Sequence, residues 1–256
     1  CTLLANECVD HGLKVAVIDG DVGQADIGPP TTISASKLDG YIFSLQDLTP
    51  YTSLFMGDTS PSSVSDKLLR GLARLKRDVI HRSDVLLVNT DGWVQGDEAL
   101  RYKAKLLDEL QPDLVLGISS DGELDSLLEL QRSASLKLAR SSHARTRSRE
   151  ERKKAREYGY RRFLRNATRV RVRLGDARLR RFNSQQRQLR LNHDEDLRGV
   201  LAGLLDEEER LISIGRVERI ANGLLSLTTA LRERPAIVEL GAVVLSPSFE
   251  EIGLEA

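Results

Sequence analysis

The chain has 256 residues and a mass of 28.5 kDa, enough for one large domain or for a domain with a smaller partner. Hydrophobic residues at 40% and charged residues at 30% exclude wholesale disorder, and no apolar run approaches the roughly 18–20 residues that cross a bilayer, so no membrane partner is expected. The 38 basic and 38 acidic side chains cancel, yet 21 Lys/Arg and only 4 Asp/Glu fall between Arg132 and Arg190, leaving the remainder acidic.

In chain order, Thr2 to Asp10 reads as a helix that ends at Gly12, with no start signal before it. Lys14-Val-Ala-Val-Ile-Asp19, Val85-Leu-Leu-Val-Asn-Thr90 and Leu114-Val-Leu-Gly-Ile118 are short β-branched apolar runs, predicted as strands. Helices are predicted between them, at Val64–His81 and Gly96–Leu110. Continuous apolar strands alternating with helices imply an α/β, doubly wound and mostly parallel sheet, covered on both faces. In such sheets the ligand lies beyond the C-terminal ends of the strands. His143 to Leu164 reads as a charged lid helix, with Arg145, Arg149, Arg152 and Arg156 on one face. From about 166 onward the pattern alternates, as in Val170-Arg-Val-Arg-Leu174, with turn signals at Gly175-Asp176 and Asn222-Gly223 and a last strand at Ile237–Leu245. The expected division is an α/β domain over 1–165 and a smaller β-rich domain over 166–256.

Four loops and one helix carry residues suited to chemistry. Asp19-Gly-Asp21-Val-Gly-Gln24 follows the first strand directly. A carboxylate at that point is placed to hold magnesium, and the second can accept a proton from an attacking hydroxyl; an ordinary Asp/Gly turn is the plain alternative. Gln24 offers an amide to orient a nucleophile or phosphate. Gly28-Pro-Pro-Thr31-Thr32 places two hydroxyls near the same sheet edge, and Phe55-Met-Gly-Asp-Thr-Ser-Pro61 is a hydroxyl-rich turn that suits either phosphate binding or helix capping. In Asn89-Thr90-Asp91-Gly92-Trp93 the chain's one tryptophan stands in a loop, to stack on a base or to pack into the core. The lid arginines supply cations for a transferring phosphate, or they face solvent.

Other signals are missing. No Gly-x-x-x-x-Gly-Lys-Ser/Thr occurs in the 256 residues. The chain opens on Cys1, with no signal peptide, and the expectation is a piece of a longer chain that begins just after such a loop. Cys1 and Cys8 have neither metal-binding nor disulfide-framework spacing, and the four histidines are scattered. A reducing, cytoplasmic location follows as an expectation. A His/Cys zinc site does not.

Taken together, DGDVGQADIGPPTT, FMGDTSP, NTDGWVQG and RTRSREERKKAREY resemble the polynucleotide 5′-hydroxyl kinase family, in order and spacing, over about residues 1–165. The stretch from Leu197 to Val243 is similar to the C-terminal domain of its archaeal-type members. The resemblance implies a P-loop fold and magnesium-dependent transfer of the γ-phosphate of ATP or GTP to the 5′-hydroxyl of RNA, with DNA as a second acceptor. It implies that Asp19 and Asp21 lie near magnesium, with Asp21 the general base, and that Arg147 and Arg152 act on the transferring phosphate. Gln24, Thr90, Gly92 and Trp93 would grip the nucleic acid, joined by Thr31 and Thr32, while Arg152 and Arg156 would reach the nucleotide. Two other readings use the same residues. One is a P-loop ATPase or GTPase with water as nucleophile, and the other is a non-catalytic RNA-binding scaffold resting on the block Arg132–Arg190.

Overall fold

The computed structural model describes residues 1–119, 122–130, 133–182 and 196–252. Of the basic block, residues 132 and 183–190 lie outside the described residues.

The first half runs α1 (Thr2–Asp10), β1 (Val15–Asp19), β2 (Thr32–Lys37), β3 (Thr52–Phe55), α2 (Pro61–Ile80), β4 (Val85–Asn89), α3 (Asp97–Leu110), β5 (Leu114–Ser119), α4 (Asp125–Leu130) and β6 (Ala134–Ala139). A four-stranded sheet has the order β3-β2-β1-β4, and β5 and β6 pair separately. The β1–β4 and β5–β6 pairs are parallel, whereas β1–β2 and β2–β3 are antiparallel. All of β1 is buried because its alternating side chains enter two different cores. Ala16 and Ile18 pack with Leu68, Leu72 and Leu75 of α2, while Val15 and Val17 pack with Ala5 of α1 and Ile27. The continuous apolar run of β1 follows from that double coverage.

The sequence gives no apolar signal for β2 and β3, and neither is anticipated above. Their interior serines are satisfied within the protein: Ser34 Oγ and Ser53 Oγ are 2.7 Å apart, and Ser36 Oγ donates to the Thr49 carbonyl at 2.6 Å, while the buried Thr52 Oγ1 has no partner among the described residues. A polar strand is stable in the interior when most of its hydroxyls find partners.

The lid helix, α5, spans Arg149–Phe163 and starts later than its charge pattern suggests. Ser148 caps it: its Oγ accepts from Glu151 N at 3.1 Å, and Glu151 Oε2 accepts from Ser148 N at 2.7 Å. Arg145 and Arg147 therefore precede the helix, and the one-face row that includes Arg145 does not form.

The second half is β-rich, with β7 (Thr168–Arg173), β8 (Arg178–Arg181), β9 (Val200–Leu205), β10 (Leu211–Ala221), β11 (Leu224–Thr229), β12 (Ile237–Leu245) and β13 (Glu251–Ile252). The sheet order is β13-β12-β9-β10-β11-β7, with β8 beside β12. Asn222 and Gly223 join β10 to β11 with φ of 51° and 70°, the left-handed pair that a tight hairpin requires.

The two halves are packed together at the end of β3. Phe55 enters the core formed by Tyr160, Leu201, Leu205, Ile214 and Ile237, with its ring against Gly203, where a Cβ would collide with it. Two residues on, Gly57 has φ of 88°, approaches Gly241, and accepts a hydrogen bond from Ala242 N at 2.7 Å. Beside this contact the buried Glu239 carboxylate pairs with Lys67 and with Arg180, the latter at 2.7 Å. The loop after β3 is thus clamped by the C-terminal sheet.

Candidate functional site

Three loops meet at the C-terminal ends of β1, β3 and β4, and the segment before α5 closes over them. Parallel pairing brings Asp19 of β1 opposite Asn89 of β4, and Asn89 Nδ2 donates to Asp19 Oδ1 at 3.2 Å. Asp19 Oδ1 also accepts from Asp21 N at 3.4 Å, and its Oδ2 accepts from Asp26 N at 2.6 Å and Ile27 N at 3.2 Å. This buried carboxylate is the post around which the loop 20–27 is wound. Burial raises its pKa, and the backbone donors of Asp26 and Ile27 oppose that rise. Gly20 is required here because a Cβ would press on Leu72 and on the Asn89 carbonyl, at 2.9 and 3.0 Å.

Asp21 is half-buried and differently engaged. Its Oδ1 accepts from Gly23 N and Gln24 N, both at 3.0 Å, and no hydrogen bond reaches Oδ2 among the described residues. Burial, then the charges of Asp19 and Asp91, hold its pKa above the usual aspartate range. The result is an oriented carboxylate with one open oxygen and raised basicity, which suits proton abstraction.

Gln24 ties this loop to the lid. Arg147 Nη1 donates to Gln24 Oε1 at 3.1 Å, and Gln24 Nε2 reaches the Arg152 carbonyl at 3.4 Å. Arg147 and Arg152 are both exposed, at the start of α5. The loop after β3 joins on the other side, where the Thr59 carbonyl lies 2.9 Å from the position a Cβ of Gly23 would take.

The loop after β4 is built on Asp91, which is 4% exposed. Its Oδ1 accepts from Trp93 N at 3.0 Å and its Oδ2 from the Tyr102 hydroxyl at 3.1 Å. The Lys103 ammonium stands 3.1 Å from Oδ1 and donates to the Asp91 carbonyl at 2.7 Å. Thr90 and Gly92 are exposed, and the half-buried Trp93 ring stacks on Tyr102 at 5.6 Å between centroids. Trp93 is thereby a supported side chain at the loop surface rather than a free one. Asn89 and Asp91 belong to the motif around Trp93 with no role assigned to them there, and Tyr102 and Lys103 lie outside every motif. Lys103 did leave a signal: it occupies a core position of α3, with Ala99, Tyr102, Leu106 and Leu110.

Three residues expected at the site lie elsewhere. Thr31 and Thr32 are fully buried. Thr31 N bonds to the Val22 carbonyl at 3.2 Å and Thr32 Oγ1 donates to the Pro29 carbonyl at 2.6 Å, so both shape the loop from inside and offer nothing to a polynucleotide. Arg156 faces the C-terminal strand β13, where its Nε and Nη2 each meet a Glu251 oxygen at 2.6 Å. That bidentate pair engages the guanidinium within the protein and latches α5 to the second half.

An oriented carboxylate, an amide and a docked basic lid at the C-terminal ends of the strands mark the ligand edge of an α/β domain, and the family it matches makes that domain one of the P-loop class. The chain belongs to the family described as "mRNA cleavage and polyadenylation factor CLP1 P-loop", whose model matches residues 1–166. It is 34% identical to polyribonucleotide 5′-hydroxyl-kinase PH0197 of Pyrococcus horikoshii, over 68% of this chain and 48% of that protein. Against the protein of the same name, TK1956, from Thermococcus kodakarensis it is 27% identical over 99% of this chain and 86% of that one. The chain spans about half the length of the first of these relatives. Among solved structures, a Clp1p–Pcf11p complex matches with a TM-score of 0.71 at 12% identity, covering 93% of this chain and 69% of that chain, a likeness of fold.

Proposed function

We propose that the protein is a polynucleotide 5′-hydroxyl kinase, which transfers the γ-phosphate of ATP or GTP to the 5′-hydroxyl of RNA and, as a second acceptor, DNA. The observation that carries this reading is the open Oδ2 of Asp21, in a carboxylate of raised pKa that the loop and the lid jointly hold. The carboxylate takes the proton of the 5′-hydroxyl as that oxygen attacks the γ-phosphorus. The bond from phosphorus to the β–γ bridging oxygen breaks, and the nucleoside diphosphate leaves. Asp19 fixes the loop that aims Asp21, Trp93 offers its ring to the terminal base, and Arg147 and Arg152 bring positive charge from the lid.

Magnesium suits this donor set. It keeps several waters and is commonly held by one or two carboxylates together with substrate phosphates. Asp19, at the end of β1, would serve the ion and leave Asp21 Oδ2 to the proton, and the described residues contain no cluster of three acidic or histidine/cysteine ligands that would suit a caged metal instead. The ion would supply charge neutralisation at the phosphates. Two free cysteines support a reducing, cytoplasmic setting. The test is transfer of label from γ-labelled nucleotide to a 5′-hydroxyl RNA by the full-length protein. Label at the 5′ end, and none when that end is already phosphorylated, supports the reading. Nucleotide hydrolysis without labelled RNA supports the water-nucleophile alternative.

A further inference from the structure

The lid helix leads from the candidate site to a second cationic surface. The 15 residues of α5 span about 22 Å. At its far end, the connection to β7 and the chain after β11 flank an open surface cavity of about 340 Å³. Arg162, Arg165 and Arg232 line it with Asn166 and Thr168, and none of its lining side chains is acidic. Arg162 is engaged, donating to the Gln46 carbonyl at 2.8 Å. No side-chain hydrogen bond or ion pair engages Arg165 or Arg232 among the described residues.

Strand β7 leaves from this cavity at Thr168 and is the end strand of its sheet. Val170 and Val172 turn into the core, and Arg169, Arg171 and Arg173 stand exposed on the other face. Alternate residues of a strand are about 6.6 Å apart, so the three cations form a row that an extended polynucleotide backbone can follow phosphate by phosphate. The nearby carboxylate on that face, Glu218, is taken by Arg216 at 2.7 Å and by the Thr228 hydroxyl at 2.6 Å.

We propose that the cavity and the β7 arginines form a track for the body of a single-stranded RNA whose 5′ end lies in the candidate site. The proposal rests on the kinase reading for the direction of the strand and adds a second, charge-based contact remote from the reacting phosphate. A stacked strand rising about 3.4 Å per nucleotide passes α5 in roughly six or seven nucleotides, so the track engages only longer substrates.

The experiment compares full-length protein with its R165S/R169S/R171S variant, and with the corresponding triple Arg→Lys variant. Equilibrium binding to labelled 5′-phosphorylated RNAs of about four and about fifteen nucleotides is followed over a salt series, the shorter one being unable to pass α5. The expected result is at least about tenfold tighter binding of the longer RNA by the wild type, a preference the serine variant loses and the lysine variant keeps. The salt slope for the longer RNA falls by about 2 in the serine variant, at about 0.7 per lost phosphate contact. A serine variant that keeps the length preference, or that weakens on both RNAs equally, overturns the track. So does one that self-associates with unchanged RNA affinity, because the arginines would then only guard an open strand edge. If the wild type phosphorylates no RNA and yet shows the arginine-dependent length preference, the kinase reading falls and the track stands. If it phosphorylates RNA with no such preference, the reverse holds.

Discussion

Arg147 and Gln24 are 123 residues apart in sequence, and the Arg147 guanidinium donates to the Gln24 side-chain carbonyl at 3.1 Å. This contact closes the lid over the loop that carries Asp21. It is exposed, and a hydrogen bond of this kind is worth about 0.5–1.5 kcal/mol. Gln24→Ala should therefore raise KM for RNA up to about tenfold and make the chain near Arg147 and Arg149 more sensitive to trypsin. Unchanged KM and unchanged cleavage together would show that the docked lid has no part in binding.

Asp21→Asn should lower transfer by about 10²–10⁴-fold while nucleotide binding is largely kept, since an amide cannot take the proton. The same variant should be the more stable protein at neutral pH. The folded state holds the Asp21 proton more tightly than the unfolded state does, so ionising Asp21 weakens the fold above the usual aspartate range. The amide keeps an oxygen for Gly23 and Gln24 and carries no charge. Its advantage in Tm should vanish as pH falls below that range, where both states of the wild type are protonated. For transfer itself, activity should rise with pH through the raised pKa of Asp21. A variant less stable than wild type at pH 7 would contradict the assignment of the raised pKa to burial.

Asp91 and Lys103 form a pair almost wholly withdrawn from water. Removing one partner strands the other charge, at a cost of about 3–5 kcal/mol. Lys103→Met should show that loss in urea unfolding, and adding Asp91→Asn should recover much of it. Trp93 is the chain's one tryptophan, so its emission reports on the platform alone. A red shift in Lys103→Met is expected, because Asp91 Oδ1 also holds Trp93 N. Emission identical to wild type would separate Trp93 from the pair.

Arg156→Ala should loosen α5 from β13. Glu251 would lose both of its guanidinium contacts and keep the Tyr160 hydroxyl at 3.3 Å. Amide hydrogen exchange in Arg149–Phe163 should speed up while that in β1 and β4 stays unchanged. An equal increase in all three would indicate general destabilisation instead of a released latch.

Much of this arrangement was legible in the sequence where a local rule applied. The apolar runs marked β1, β4 and β5, and Asn222-Gly223 marked its hairpin, because burial and left-handed turns leave local signatures. Asp19, Asp21, Gln24 and Trp93 could be placed at the sheet edge because each follows such a strand closely. What stayed hidden depends on distant partners. The Thr-Ile-Ser-Ala-Ser-Lys run of β2 looks like loop until Ser53 and Thr49 are seen to satisfy its hydroxyls. Arg156 looks like any lid arginine until Glu251 stands against it, 95 residues on. The late start of α5 was readable, since Ser148 and Glu151 form a capping box, but the surrounding charge pattern masked it.

The most direct measurement is a crystal structure of the full-length protein with a 5′-hydroxyl RNA and a non-hydrolysable nucleotide. The 5′ oxygen should lie within hydrogen-bond reach of Asp21 Oδ2, about 2.6–3.2 Å, with the terminal base against Trp93. A 5′ end bound away from the loop 20–27, with Asp21 facing only water, would contradict the assignment of this site as the place of phosphate transfer.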